Sequence, residues 1–389
     1  MSDDLEDAKE LAGRVEAFVR ETVIPYENDP RRGTHGPEES LVEELRVLAR
    51  KAGVMTPHIR ENGAHLSQRA TAIILEKTGL SPLGPAACNT AAPDEGNMLL
   101  LGKAATPEQK ARFLAALKTG HARSAFFMTE PAELNGAGSD PSMMSCRAEP
   151  VESGWRVNGE KTFITGAVGA QVGLVMAQSS QGACLFLVDL PDPAIQVVDV
   201  LDTMDGTMPG GHARIAIKDL FVPSDQVLGE PGDGFRLAQI RLAPARLSHC
   251  MRWLGLAVRA QEQALDYACR REAFGQLLVD HEGVGFKLAE NEIALQQSRL
   301  MIDWCASVLD EGGRANEESS MTKVAVSEAL FEIADRCIQV MGGQGVNDSN
   351  IPAQLFRETR CFRIYDGPTE VHKWSLAKKL KKRWKEAQA

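Results

Sequence analysis

Long runs with helical spacing occupy both ends of this chain, and short β-prone runs occupy its middle. That order limits the fold more than any single residue does. In the first part Leu41, Leu45, Leu48 and Ala49 recur at helical spacing, with breaks at 25–36 and 81–85. From about residue 122 the period changes. The runs 173–176, 184–188, 195–198 and 213–217 are short, apolar and bounded by turn residues, which predicts strands of a small antiparallel barrel or sandwich. The glycine-rich stretch 229–234 is a strong breaker. Beyond it, helical patterns return over 243–273, 285–309 and 319–341. In the second of these, Phe286, Ala289, Ile293, Leu300, Trp304 and Val308 fall largely along one face. Helices of this length fit a bundle. The expected fold is α+β: an N-terminal helical domain at 1–121, a small antiparallel β domain at 122–232 and a C-terminal four-helix bundle at 233–389.

A chain of 389 residues is too long for one ordinary core, in keeping with several domains. The net charge of −10 argues against broad nucleic-acid binding and leaves room for a local phosphate pocket. Eight scattered cysteines contain no C-x-x-C, so neither a zinc site nor a redox pair is indicated, and free thiols in a reducing compartment are expected. The eight histidines show no ligand spacing, so no metal is expected. The acidic start, Met1 to Asp7, is unlike a leader, and no apolar run approaches the roughly 18 residues of a membrane helix. A cytoplasmic protein without a membrane span is the expectation. The basic run 378–385 reads as a solvated helix end.

Two distant regions carry chemistry. The first is Met128-Thr129-Glu130-Pro131, then Gly136-Ala137-Gly138-Ser139-Asp140, then 159–166. Thr129 and Thr165 can donate to the edge of a flat ring, and Ser139 to a phosphate. Gly136 and Gly138 permit close backbone approach, and Phe163 can pack beside a ring system. Alone, Gly-x-Gly before Ser-Asp is an ordinary turn; with its neighbours it points to a flavin. The second region, 363–372, sets the carboxylate of Asp366 beside Gly367, an arrangement suited to proton abstraction. A helix N-cap is the plainer reading of Asp366. Arg271 suits a phosphate because its planar fork engages two oxygens, whereas Gly342-Gly343 alone would be a helix cap and turn.

Together these segments resemble the acyl-CoA dehydrogenase family of flavoproteins, over about residues 40–380. Members typically show Thr-Glu-Pro-Gly-Ala-Gly-Ser-Asp, then Asn-Gly-x-Lys and Trp-Ile-Thr. This chain inserts Ala132 to Asn135 and has Phe163 where Trp is common. Residues 271–275 and 339–345 resemble the family's Arg-x-x-Phe-Gly and Gln-x-x-Gly-Gly-x-Gly. The stretches 93–98, 106–110, 246–252 and 366–372 resemble its Asp-Gly-Pro branch, linked to longer or 4-hydroxylated acyl-CoAs. The resemblance implies FAD held noncovalently between two protomers. Its implied cofactor contacts are Met128, Thr129, Ser139, Phe163, Thr165, Arg271, Phe274, Glu282, Gln339, Gly342, Gly343, Pro368 and Glu370. Its implied substrate contacts are Ser139, Arg246, Tyr365 and Gly367. Glu282 stands where the family has Gln, and a carboxylate near a pyrophosphate is unfavourable unless protonated or turned away. His249 reads as a core histidine or as a donor to substrate.

The implied activity is α,β-dehydrogenation of an acyl-CoA thioester to the trans-2-enoyl-CoA, within fatty acid metabolism. A carboxylate takes the α-proton while preorganised donors hold the thioester carbonyl. Many members have Glu at position 366, as Tyr-Glu-Gly-Thr; Asp366 is one methylene shorter. Others carry their Glu just before a bundle arginine, here Arg246, but the preceding residue is Ala245. Asp366 is thus the candidate base. Electron-transferring flavoprotein is the implied acceptor, and a dimer or dimer of dimers the implied assembly. Three rivals remain: a nitroalkane-oxidase-like flavin oxidase, a nucleic-acid-binding flavoprotein and a catalytically weak relative. The acidic balance and the retained carboxylate argue against the second; the short side chain of Asp366 keeps the third.

Overall fold

The computed structural model describes residues 2–60, 63–134, 138 and 140–388. Its main elements in chain order are α1 (Ser2–Phe18), α2 (Glu39–Lys51), α3 (Gln68–Thr78), α4 (Asp94–Ala104), β1 (Ser124–Phe127), β2 (Arg147–Val151), β3 (Gly154–Thr165), β4 (Val172–Ser179), β5 (Gly182–Asp189), β6 (Ile195–Leu201), β7 (His212–Pro223), α5 (Gly234–Arg270), α6 (Glu282–Asp310), α7 (Asn316–Met341), α8 (Ile351–Phe362) and α9 (Thr369–Glu386). The chain forms two compact units. A helical unit comprises Met1–Asn28, Leu66–Pro85 and Arg246–Ala389; a sheet unit comprises Asp29–His65 and Ala86–Ala245. The division falls within α5, just past Pro244, which lacks the N–H that a helix interior needs.

In the helical unit, α5, α6 and α7 are tied by buried polar bonds. Gln261 donates to the Leu288 carbonyl at 2.9 Å, and Asn291 donates to Gln261 Oε1 at 2.9 Å and to Cys337 Sγ at 3.4 Å. Arg336 meets Glu290 at 3.1 Å, so α6 and α7 run antiparallel and the start of α6 shares one end of the bundle with the end of α7. The Asp310 carboxylate, the last residue of α6, accepts from the Gln68 and Arg69 amides at 2.6 and 3.0 Å and so satisfies donors at the start of α3. One sequence expectation changes here. The buried face of α6 is Leu288, Leu295, Ile302 and Cys305, whereas Phe286, Ile293 and Leu300 are 63, 59 and 61% exposed. The helix carries two periodic faces, and the one read from the sequence is not the one turned to the core.

In the sheet unit, seven strands form one sheet in the order β1-β4-β2-β3-β7-β6, with β5 on β4. The pairings are antiparallel except β1 with β4 and a single bridge from β2 to β4. The four runs read from sequence became β4 to β7; β1, β2 and β3 carry weaker signals. β3 shows why. Trp155 and Val157 face inward in alternation, but Lys161 and Thr162 are then both buried. The register with β7 slips between Lys161 and Ile164, and Phe163 takes φ +53° and stays 57% exposed. A bulge of this kind re-aims one side chain out of the sheet.

The cause of that bulge is a buried ion pair. Lys161 Nζ lies 2.9 Å from Glu130 Oε1, both side chains are fully buried, and Nζ also donates to the Met128 carbonyl at 3.2 Å. Glu130 accepts further bonds from Ser145 N at 2.5 Å, Ser145 Oγ at 2.6 Å and Cys146 N at 3.0 Å. Burial alone would raise this carboxyl's pKa; the Lys161 charge and the Ser145 bonds outweigh it and hold it below the usual range. A buried charge stripped of its partner is expensive. Lys161→Met is therefore expected to cost about 3–5 kcal/mol in urea unfolding, and Glu130→Gln/Lys161→Met together less than Lys161→Met alone. A double variant less stable than the single would contradict this account.

Candidate active site

The ion pair anchors the first group of candidate residues. Met128 and Thr129 follow β1 directly, and the Thr129 carbonyl accepts from Thr162 N at 2.9 Å. This bond joins the end of β1 to the end of β3, so Met128, Thr129, Phe163 and Thr165 share one rim of the sheet unit. Thr165 Oγ1 lies 2.9 Å from His212 Nδ1, and His212 Nε2 lies 2.9 Å from Asp205 Oδ2. Gly136 and Ser139 lie outside the described residues.

The second group surrounds Asp366 in the helical unit. Asp366 is not a helix N-cap: α9 starts at Thr369, and Asp366 sits in the turn before it with φ +54°. Such a conformation costs energy for a residue with a Cβ and persists where neighbours enforce it. Here three donors do so. The Asp366 carbonyl accepts from Arg246 Nε at 2.9 Å and lies 3.1 Å from His372 Nε2; the Gly367 carbonyl accepts from Lys323 Nζ at 2.8 Å. Gly367 has φ +100°, and a Cβ there would stand 2.7 Å from His372 Nε2, so glycine is required.

The carboxylate itself faces α5. His249 Nε2 lies 3.5 Å from Asp366 Oδ2, and the Asp366 side chain keeps 20% of its surface exposed. The His249 ring sits 4.9 Å from Tyr365 and 5.8 Å from Phe362, centroid to centroid. Trp253 Nε1 donates to the Tyr365 hydroxyl at 2.6 Å. Arg246, His249 and Trp253 are spaced three and four residues apart, so one stripe of α5 grips the turn. From α7, Lys323 and Ser320 support it, with Ser320 Oγ 3.0 Å from His372 Nδ1.

Family models match nearly the whole chain: acyl-CoA dehydrogenase N-terminal domain at 5–121, middle domain at 125–220 and C-terminal domain at 232–381. The Mycobacterium tuberculosis protein FadE2, named as an acyl-CoA dehydrogenase, is 33% identical over 94% of this chain and 93% of its own. The chain belongs to the acyl-CoA dehydrogenase family. Acyl-CoA dehydrogenase family member 11 of Gallus gallus is 34% identical over 96% of this chain, which spans only 51% of that protein's length. A solved structure assigned to an acyl-CoA dehydrogenase of Mycobacterium abscessus superposes with TM-score 0.88 at 31% identity, covering 97% of this chain and 98% of that one.

The acyl-CoA dehydrogenases are flavoproteins whose cofactor is FAD, and the residues present fit it. In the sheet unit the bulge leaves Phe163 exposed on the same rim as Thr129 and Thr165, an aromatic ring and hydroxyl-bearing residues of the kinds a flavin ring needs. In the helical unit Phe274 is 98% exposed with φ +55°, on a tight hairpin in which Glu272 pairs with Leu277. Arg271 and Glu282 flank that hairpin and are exposed; Glu282 is the first residue of α6, where a carboxylate complements the helix dipole. Gln339, Gly342 and Gly343 lie at the end of α7, and hence at the same end of the bundle. Pro368 and Glu370 open α9. Sequence reading assigned no role to the residues that hold these groups: Lys161 and His372, although both lie within the motifs, and His212, Asp205, Lys323 and Trp253. Most of them act through a partner remote in sequence, as Lys161 does with Glu130, His212 with Thr165 and Lys323 with Gly367.

His372 titrates in a way that checks the Asp366 turn. Burial and the nearby Arg246 and Lys323 charges push its pKa from the ordinary 6.5 down to about 4. A neutral ring must donate from Nε2 to the Asp366 carbonyl, which leaves Nδ1 to accept from Ser320. Unfolded chain takes up the proton first, so this site's contribution to stability is full above 6.5 and falls as the pH drops towards about 4. Replacing it by His372→Gln keeps a donor and removes the titration. Thermal melts of that variant are expected to lose less stability between these two pH values than the parent; equal losses would remove His372 from this role.

Proposed function

We propose that this protein catalyses FAD-dependent α,β-dehydrogenation of an acyl-CoA thioester to the trans-2-enoyl-CoA, with Asp366 as the base. The observation that carries this reading is the Asp366 turn, whose two carbonyls are held by Arg246, His372 and Lys323 while the carboxylate stays partly exposed. FAD, when bound, supplies the hydride acceptor. The chain's own residues do the rest. Asp366 accepts the α-proton, and its backbone N–H donates to the thioester carbonyl. Arg246, Tyr365 and Gly367 shape the space for the acyl-CoA. Thr129, Thr165 and Phe163 hold the flavin ring, and Arg271, Phe274, Gln339, Gly342 and Gly343 its phosphate and adenine end. Pro368 and Glu370 are further cofactor contacts in this reading, as are Met128, Ser139 and Glu282.

This reading keeps three functional domains, 1–121, 122–232 and 233–389, and family-model matches at 5–121, 125–220 and 232–381 support it. Electron-transferring flavoprotein is the proposed acceptor. A homo-oligomer is proposed from the second apolar face of α6, where Phe286, Ile293, Leu300 and Trp304 are spaced seven, seven and four residues apart and all exposed. Among the described residues no helix is long and apolar enough to cross a membrane. The eight cysteines are all free thiols, which supports a reducing, cytoplasmic setting.

Three experiments test this. Asp366→Asn is nearly isosteric but cannot take a proton. It is expected to retain FAD and acyl-CoA binding and to lose on the order of 10²-fold or more in anaerobic flavin bleaching by an acyl-CoA that reduces the parent. Bleaching at the parent rate would exclude Asp366 and point to Glu370. Peroxide formed in air at the turnover rate would favour an oxidase instead. Light scattering is expected to show a dimer or larger, and Ile293→Lys/Leu300→Lys to lower its mass; an unchanged mass would place the interface elsewhere.

A further inference from the structure

The Thr165 hydroxyl is not simply available to a cofactor, because it shares a chain of two short hydrogen bonds with His212 and Asp205. Thr165 and His212 are cross-strand partners on β3 and β7. Thr165 Oγ1 is 2.9 Å from His212 Nδ1, and His212 Nε2 is 2.9 Å from Asp205 Oδ2, with the His212 and Asp205 side chains only 13 and 5% exposed. Burial alone would raise the Asp205 carboxyl's pKa, but its bond to His212 and the charge beside it hold it below the usual range. Asp205 is therefore a carboxylate near neutral pH and can only accept. Nε2 of His212 must carry a proton.

That fixes the consequence for Nδ1. In neutral His212 it is bare and accepts the Thr165 O–H. In the imidazolium it donates; the Thr165 oxygen then accepts, and the hydroxyl proton must turn elsewhere. We infer that protonation of His212 swings the Thr165 hydroxyl from its own chain towards the flavin, so that this histidine decides whether Thr165 donates to the cofactor. The inference rests on the proposed placing of Thr165 at the flavin. His212 is a positioning residue in it, acting through Thr165.

Other charges on the surrounding elements are matched among themselves. His35 Nε2 lies 3.5 Å from Asp202 Oδ1, Arg214 pairs with Asp199 at 3.0 Å, and Arg123, bonded to the Pro209 carbonyl, pairs with Glu39 at 2.6 Å. Asp205 is the anion in direct contact with His212.

The test measures the dissociation constant of FAD from the apoprotein between about pH 5 and 9, alongside the His212 titration by NMR. The parent is expected to bind FAD about 2- to 10-fold more tightly below the His212 midpoint than above it, the range of one hydrogen bond. His212→Gln is expected to abolish the pH step. Thr165→Val is expected to bind weakly with no step. His212→Gln retaining the parent's step would overturn the switch. Thr165→Val matching the parent in affinity and step would instead overturn the placing of Thr165 at the flavin, a separate failure. Should His212→Gln not fold by circular dichroism, the parent decides alone: a step whose midpoint differs from the NMR titration of His212 sinks the inference.

Discussion

Two charges buried side by side, Glu130 and Lys161, organise the sheet unit. An ion pair out of water is weak evidence for stability, since desolvation offsets most of the attraction. Its value here is geometric. Glu130 has four donors around it, from Lys161, Ser145 and Cys146, and so has one low-energy position. Lys161 must then point inward beside a buried Thr162, and the strand cannot keep its alternation. The bulge follows, and with it the outward Phe163. The polar residues of two separate motifs are the reason an aromatic ring stands exposed where the proposed flavin contacts lie.

A parallel logic holds the proposed base, Asp366, in the helical unit. One stripe of α5 supplies Arg246, His249 and Trp253 to the carbonyl, the carboxylate and the neighbouring tyrosine; α7 supplies Lys323 and, through Ser320, the orientation of His372. The side chains of these residues do not need to touch a substrate to matter. Removing one is different from removing the proposed base: Asp366→Asn changes the proposed proton acceptor, whereas His372→Gln changes the titration of its support.

Much of the architecture was legible in sequence because it rests on period. Helical spacing at both ends and β runs between them gave the α+β order, and the structure carries it with one parallel strand, β1, added to an otherwise largely antiparallel sheet. Period failed where polar residues are buried. β3 hides behind Lys161 and Thr162, and α6 has two periodic faces, of which the one with Phe286, Ile293 and Leu300 stays outside. Candidate site residues were legible where they form short motifs, as in 128–131 and 363–372. Their supports were not, because His212 with Thr165, or Lys323 with Gly367, are pairs that only the fold creates.

The shorter carboxylate at 366 has a physical counterpart in its surroundings. Asp reaches less far than Glu, so in the proposed reaction its backbone must stand closer to the proton to be taken. A left-handed turn at Asp366 and Gly367 alters where the side chain starts, and three donors on two consecutive carbonyls keep it there. That arrangement brings the charges of Arg246 and Lys323 to the turn that carries Asp366. The molecule moderates this. His372 is kept neutral, and burial lowers the Lys323 pKa to about 8, so part of the clamp is close to losing its charge near neutral pH. Hydrogen bonding to the backbone carbonyls survives that loss, because a neutral amine still donates. The turn can thus be held firmly without a full set of cations bearing on the carboxylate, a balance that a rigid clamp of arginines alone could not strike.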